Sequence, residues 1–172
     1  TYFVLKITRR WNSGVTLTAF KRTYSQSAST SIGIITMIIM ALVMTDTGMT
    51  HILSRTIAAG TEPVFAIFSP FIGVLGTFVT GSNTNSNVLF GVLQLETATT
   101  LSINPVTISS IQSIGGSLGS AIAPAKVLVG TAVVGIAGKE SEVLRRTIPY
   151  CLLLVLLVGI QSWIFITFFD IK

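Results

Sequence analysis

Seven uncharged residues separate two apolar runs near the middle of this chain: Gly81-Ser82-Asn83-Thr84-Asn85-Ser86-Asn87. The first apolar run covers residues 63–80 and the second covers residues 88–93. In a membrane protein, irregular polar backbone at membrane depth is tolerated only where it is buried in protein or lines a cavity. Hydroxyls, amides and free backbone N–H groups there can surround a small anion. The stretch therefore predicts a substrate-binding segment, which we name the polar tip (residues 81–87).

The composition of the chain is that of a membrane protein. Half of its residues are apolar, 10% are charged, and the mean hydropathy is +0.79, whereas a soluble domain carries about 25% charged residues. The sequence therefore predicts an all-α membrane protein whose helices lie in a lipid bilayer. The lone Cys151 is expected to be a packing residue, and the sequence contains no cluster of metal-ligand residues.

Basic residues are concentrated at the start of the chain. Residues 1–30 carry five Lys and Arg residues and no acidic residue, which favours a cytoplasmic basic or interfacial segment under the positive-inside rule. This clustering accounts for the net charge of +5 without a nucleic-acid partner. Because the first residue is threonine rather than methionine, we expect a C-terminal fragment of a longer transporter.

Residues 31–172 are expected to form the transmembrane region, with a polar link at 51–62. The second limb of its hairpin is too short to span a bilayer, because Val88 lies only eight residues before Glu96. Two full spans in place of a re-entrant hairpin would give the same orientation. The predicted elements are a helix at 31–50, a re-entrant hairpin at 63–101, a broken helix at 104–138 and a helix at 148–169.

The broken helix is predicted from a cluster of residues that disfavour helix. Gly115, Gly116 and Gly119 precede Pro124 within ten residues, and these residue types disfavour a continuous helix. We expect the unwound middle of this helix to face the polar tip. A helical half that begins near the break would direct the positive end of its dipole toward an anion.

The polar tip is also similar to a known family signature. Residues 81–90 read G-S-N-T-N-S-N-V-L-F and resemble the G-S-[DN]-T-x-S-N-x-L-F signature of the L-lactate permease family. Leu93-Gln94, the glycines and proline of the broken helix, and Gly138-Lys139-Glu140-Ser141 match later blocks of that family in the same order. The resemblance extends from about residue 44 to residue 146. A hairpin followed by a broken helix is the arrangement of inverted-repeat secondary transporters, of which this chain would be half.

The resemblance implies a transporter and not an enzyme. Members of the family import lactate, and often glycolate and related 2-hydroxy monocarboxylates, across the plasma (inner) membrane together with protons. Their chains are much longer, so this multi-pass chain would lack the N-terminal half of the transporter and should not transport alone. The family implies no cofactor, and association into a homo-oligomer is left open.

Three positions depart from the family pattern. An aspartate is common where Asn83 stands, and a lysine and a glutamine are usual where Ser120 and Ala125 stand. Lys126 could restore the cation from a neighbouring position. These departures leave the coupling ion and the substrate open, so the alternative is a sodium- or proton-coupled di- or hydroxycarboxylate symporter of the same fold.

The residues assigned to the substrate come from the polar tip and the glycine cluster. The residues of the tip would contact the substrate carboxylate and hydroxyl through side chains and backbone N–H groups, or else cap the hairpin limbs. The residues of the glycine cluster (115–117) would allow close backbone approach to the ligand, or else tight packing of helices. The assigned residues are Ser82, Asn83, Thr84, Ser86, Asn87, Gly115, Gly116 and Ser117.

The charged candidates are fewer. Lys126 would be the counter-charge to lactate, or else extend into a water-filled vestibule. Asp46 and Glu96 are candidates for proton coupling, or else solvated carboxylates at the outer surface. Gln94 would contact the substrate-binding residues rather than the substrate itself.

Two other function classes are open at this point. Ser117 or Ser120 with Lys126 has the ingredients of a serine–lysine dyad, in which the lysine activates the hydroxyl, although no oxyanion-hole motif accompanies them. The helices rich in small residues would also suit a non-transporting membrane subunit that acts in assembly.

Overall fold

The structure is a computed structural model that describes residues 13–62 and 64–168. Within these ranges it is all-helical, as predicted, and has no β-strand. The chain divides into two compact units, residues up to Thr36 and residues from Met37 onward. The helices are α1 (Ser13–Asp46), α2 (Met49–Thr61), α3 (Phe65–Thr80), α4 (Asn83–Thr100), α5 (Pro105–Gly119), α6 (Pro124–Val133) and α7 (Glu140–Phe168), with a 3₁₀ turn at Ser120–Ile122.

Helix α1 is longer than the first predicted span. The prediction separated a basic segment at 1–30 from a helix at 31–50, whereas α1 crosses that boundary without a break. Residues 1–12 of the basic segment lie outside the described residues. After α1 the chain turns at Gly48, which adopts the left-handed conformation (φ 75°) that favours glycine.

The polar link predicted at 51–62 is wrong, because these residues lie in helix α2 up to Thr61. Thr50, Ser54 and Ala58 recur every four residues and are buried. They form one face of the helix, and α2 packs against α4. Small and hydroxylated residues, which suggested a loop by composition, here supply the close-packing face of a helix.

Helices α3 and α4 form an antiparallel helical hairpin where the sequence predicts one. Ser69 on α3 contacts Gln94 on α4, and Gly73 contacts Ser86. The pair nearer the turn joins a later residue of α3 (Gly73) to an earlier residue of α4 (Ser86), as antiparallel helices require. The hairpin packs against α5, which forms the third helix of this core.

The turn of the hairpin is shorter than the polar tip. Helix α3 ends at Gly81, whose backbone is left-handed (φ 73°) and whose N–H donates to the Thr77 carbonyl. Ser82 caps α4, since its side chain accepts from the Asn85 N–H. The expectation of irregular polar backbone therefore holds only for Gly81 and Ser82, because this cap allows residues 83–87 to be helical.

The broken helix is present, but its break lies after the glycine cluster. Helix α5 continues through Gly115, Gly116 and Ser117, which corrects the prediction of an unwound segment there. The backbone becomes extended at Ala123 (φ −67°, ψ 120°), directly before Pro124. Proline lacks an N–H and disfavours helix in the preceding residue, so the proline decides where α5 and α6 separate. The directions of the two halves differ by 43°.

Glycines allow α3 and α5 to lie against each other. A Cβ atom on Gly115 would overlap the backbone of Pro70, and one on Gly73 would lie 2.7 Å from the backbone nitrogen of Gly116. These contacts occur in the same order along both helices, so α3 and α5 are parallel and α4 is antiparallel to both. The glycines remain helical because the absence of a side chain allows α3 and α5 to pack closely.

Helix α7 packs against α3 and closes one side of the core. Cys151 and Val155 are buried beside Val74 and Ile122, as expected for a packing cysteine. The helix begins at Glu140, earlier than the predicted start at residue 148. Among the described helices, α7 alone is long and apolar enough to cross a membrane. Two bent pairs, the second half of α1 with α2 and α5 with α6, would each make a further span.

Candidate functional site

The two outer asparagines of the polar tip bind α5. Asn83 donates through Nδ2 to the Ser113 carbonyl at 3.2 Å and to Ser117 Oγ at 3.0 Å. One turn later, Asn87 Nδ2 donates to Ser113 Oγ at 3.3 Å. Residues four apart lie on the same face of a helix, so both amides face the same stretch of α5. They attach the start of α4 to that helix.

The amide oxygens of these asparagines are buried and have no hydrogen-bond partner among the described residues, and the same is true of Thr77 Oγ1. The orientation of the Asn83 amide follows from its partner, because the Ser113 carbonyl can only accept a hydrogen bond. Asn83 Oδ1 and Thr77 Oγ1 both lie against Gly116. Both amide hydrogens of Asn83 are engaged with α5, so its side chain has no donor left for an anion.

The first turn of α4 offers backbone donors instead. Ser82 Oγ accepts from the Asn85 N–H at 3.4 Å, and the Ser82 carbonyl accepts from the Ser86 N–H at 2.9 Å. The N–H groups of Asn83 and Thr84 have no intrahelical acceptor, because they open the helix. They lie at the positive end of the helix dipole. Thr84 is exposed there, so this end of α4 can accept an anion.

The start of α6 meets the polar tip. A Cβ atom built on Gly81 would lie 3.6 Å from the Cβ of Ala125. Pro124 has no N–H, and the two N–H groups after Ala125 donate to the Ala123 carbonyl, which leaves the Ala125 N–H for another partner. The sequence led us to expect the break to face the tip, and these segments do meet. Ala125, in the first turn of α6, thereby lies beside Gly81, which ends α3 and precedes the cap of α4.

Lys126 is exposed in the first turn of α6. Its Nζ donates to Ser120 Oγ at 2.9 Å, and Ser120 donates to the Gly116 carbonyl at 3.4 Å. The lysine is thus tethered to the end of α5, where the carbonyl groups carry negative partial charge. Its ammonium has further donor hydrogens for an anion.

Four other assigned residues lie inside the helix packing or beside it. Ser86 is fully buried and donates to the Gly73 carbonyl at 2.9 Å. Gly115 and Gly116 are buried against α3 and the Asn83 amide. Ser117 is exposed and donates to the Ser113 carbonyl at 2.9 Å. Of the glycine cluster, therefore, Ser117 alone presents a side chain at the surface.

The carboxylates proposed for proton coupling lie elsewhere. Glu96 is near His51 Nδ1, at 3.8 Å, and accepts from Ser54 Oγ at 3.4 Å. It follows Asn83 by thirteen residues of α4, which is about 20 Å along a helix. Asp46 is exposed at the end of α1. The structure does not bring either carboxylate to the polar tip.

Three residues that lie around the polar tip were not assigned to it from the sequence: Thr77, Gln112 and Ser113. The last two are polar residues of a helix predicted to lie in the membrane, which is the signal that could have found them. Thr77 carried no such signal, because hydroxyl groups inside helices usually bond to the preceding turn. Its exposure is zero, and its hydroxyl is one of the unpartnered oxygens described above.

Comparison with known proteins assigns the chain to a family. The family profile described as L-lactate permease matches residues 1–169. This chain belongs to the L-lactate permease family. It is 40% identical to the L-lactate permease of Bacillus subtilis over 86% of its own length, and 37% identical to the glycolate permease GlcA of Escherichia coli over 78%. No solved structure matches this permease chain.

The chain is much shorter than these relatives. It covers 26% of the length of the Bacillus subtilis protein and 24% of that of the Escherichia coli glycolate permease. An L-lactate permease of Escherichia coli is 39% identical over 63% of the chain, which is 20% of that relative. The chain thus spans about a quarter of the length of the curated relatives it matches. The curated relatives are named as permeases, which are transporters and not enzymes.

Proposed function

We propose that this chain forms part of a plasma-membrane secondary transporter that imports lactate, glycolate and related 2-hydroxy monocarboxylates by proton symport. The single observation that carries the proposal is the contact between Gly81, at the turn before α4, and Ala125, in the first turn of α6. Free backbone N–H groups at the starts of these two helices attract a carboxylate. The relatives named as lactate and glycolate permeases supply the substrate class.

The proposed binding groups differ in role. The substrate carboxylate is bound by the backbone N–H groups of Asn83, Thr84 and Ala125, with the Ser82 and Thr84 hydroxyls beside them. Lys126 is the counter-charge. A 2-hydroxy acid presents both an anion and a hydroxyl donor, and Ser117 lies exposed on α5 next to the Asn83 amide to receive the hydroxyl.

The remaining assigned residues shape the site. Asn87 and Ser86 hold the first turns of α4, and Gly115 and Gly116 let α5 approach closely enough to bond them. The hairpin is proposed to be re-entrant, with its tip at mid-membrane, because α3 and α4 contribute the polar end that a full span would place at the surface.

The rest of the transporter is proposed to lie in an additional polypeptide segment that supplies a second hairpin and broken helix. The matched part of this chain covers about a quarter of the length of these relatives, and inverted-repeat transporters build one site from two halves. Glu96 and Asp46 remain the candidates for the coupled proton, acting at a distance from the tip.

The test is uptake of labelled L-lactate by proteoliposomes that contain the full-length protein under an imposed pH gradient. Lys126→Gln is compared with Lys139→Gln, which removes an exposed lysine outside the site. We expect the KM for lactate to rise roughly tenfold in Lys126→Gln, the order expected for losing one hydrogen bond to a charged group. Lys139→Gln should leave it unchanged.

Three outcomes would contradict parts of the proposal. Equal KM values in the two lysine variants would remove Lys126 from the site. Uptake driven by sodium, with di- or hydroxycarboxylates as substrates, would replace proton-coupled lactate transport by the alternative symporter. An absence of uptake for every small carboxylate would favour a membrane subunit that acts in assembly.

A further inference from the structure

Two glutamines are buried where α3, α4 and α5 pack together. Gln94 on α4 and Gln112 on α5 are each 1% exposed. Gln94 Nε2 donates to Gln112 Oε1 at 2.8 Å and to the Ser69 carbonyl at 2.9 Å. Gln94 Oε1 accepts from Ser69 Oγ at 3.1 Å. Both amide hydrogens of Gln94 are therefore engaged, one with each neighbouring helix.

Gln112 extends these hydrogen bonds toward the turn of the hairpin. Its Nε2 donates to Ser86 Oγ at 3.2 Å and faces the Ser86 carbonyl at 3.5 Å. Ser86 Oγ donates in turn to the Gly73 carbonyl on α3. Helix α4 is thus joined by directional bonds to α3 on one side and to α5 on the other. A shift of α5 by one residue along the hairpin would misalign the bonds between Gln112 and α4, since hydrogen bonds weaken steeply with angle.

These bonds end directly beside the polar tip. Ser113, the residue after Gln112, accepts hydrogen bonds from Asn83 and Asn87. Ser86, which Gln112 contacts, lies between those two asparagines on α4. Gln112 and Ser113 are consecutive residues of α5, and both therefore bond to side chains of the polar tip.

We propose that Gln112 is a positioning residue, which fixes the register of the hairpin on α5 and so holds the N-terminus of α4 against the start of α6. Apolar packing is not directional, so an apolar side chain of the same size would fill the space without fixing this register. The amide of Gln112 is bonded to α4 at both ends, to Gln94 through Oε1 and to Ser86 through Nε2. Its effect on transport rests on the proposed function, whereas its effect on the tip does not.

The test measures the position of the tip by disulfide formation in the full-length protein. Gly81→Cys and Ala125→Cys are introduced together with Cys151→Ser, because a Cβ–Cβ distance of 3.6 Å suits a disulfide. Gln112→Met is then added, since methionine has a similar length but no amide. In Gln112→Met the buried Gln94 amide loses its partner, which destabilises the protein. The double change Gln94→Met with Gln112→Met removes that amide as well, so this variant is more readily obtained in folded form.

We expect the rate of disulfide formation to fall roughly tenfold in Gln112→Met and in the double change, the order expected when one buried hydrogen-bond partner is lost. The matched control is Gln161→Met, which makes the same substitution at an exposed position of α7. It should leave the rate unchanged. An unchanged rate in a folded double variant would overturn the proposal.

A second readout separates this proposal from the proposed function. In lactate uptake, a positioning role predicts a raised KM for Gln112→Met at a similar amount of folded protein. A folded Gln112→Met protein with unaltered KM but a slower disulfide would confine the role to geometry and overturn its link to transport. If the unmodified protein takes up no lactate, the proposed function fails, and the disulfide rate still decides the register claim.

Discussion

At the scale of single residues, the sequence indicated that the Asn83 amide needs polar partners, and the structure shows that α5 supplies two of them. Asn83 was expected to face the substrate, yet both of its amide hydrogens are used by α5. Its partners lie thirty or more residues away in the chain. A sequence reveals that such an amide needs partners but not which helix supplies them, because that depends on packing.

Gly116 gives the sharpest prediction at this scale. A methyl group there would overlap Asn83 Oδ1 and approach Thr77 Oγ1 to 3.0 Å, so Gly116→Ala should destabilise the protein by about 1–3 kcal/mol. The control is Gly130→Ala in α6, where an added Cβ meets nothing within 4 Å. It should be neutral or stabilise by up to about 1 kcal/mol through helix propensity. Thermal unfolding followed by circular dichroism in detergent distinguishes them, and equal midpoints would refute the packing described here.

At the scale of elements, hairpin and broken helix were predictable because their signals are local. A left-handed glycine with a serine cap ends one helix and begins the next at Gly81 and Ser82, and Pro124 fixes the start of α6. The position of the break was misplaced because glycines disfavour isolated helices. In α5 this cost is offset by close contact with α3, which no local pattern encodes. Helix α2 was missed because its helical structure likewise depends on packing, in this case against α4.

Pro124→Ala tests whether the break matters. Alanine restores an N–H and removes the restriction on Ala123, so α5 and α6 should become straighter without loss of helix content. We expect lactate uptake to fall at least tenfold, because the N-terminus of α6 no longer meets the tip. The control is Pro149→Ala, which removes a proline inside α7. Uptake at the parent level by a folded Pro124→Ala protein would contradict the role of the break.

At the scale of the whole molecule, composition alone indicated a membrane protein, and the family assignment agrees. Many large apolar side chains of α7, including Leu153, Leu157 and Phe165, are exposed in the isolated chain, as suits lipid or further helices. Fold class could thus be predicted from the sequence, and so could the hairpin and the broken helix that meet at Gly81 and Ala125. The bonding within the site could not, because it joins residues of α3, α4 and α5 that are distant in the chain.

The central claim is that the polar tip and the start of α6 meet and bind a carboxylate between them. The most direct measurement is disulfide formation between Gly81→Cys and Ala125→Cys in a Cys151→Ser background, with and without L-lactate. Gly81→Cys paired with Gly130→Cys is the control, because an added Cβ at Gly130 meets no atom within 4 Å. We predict rapid cross-linking of the first pair alone, and slower cross-linking when lactate occupies the junction. Failure of the first pair to cross-link, although both cysteines react with a small alkylating reagent, would contradict the account.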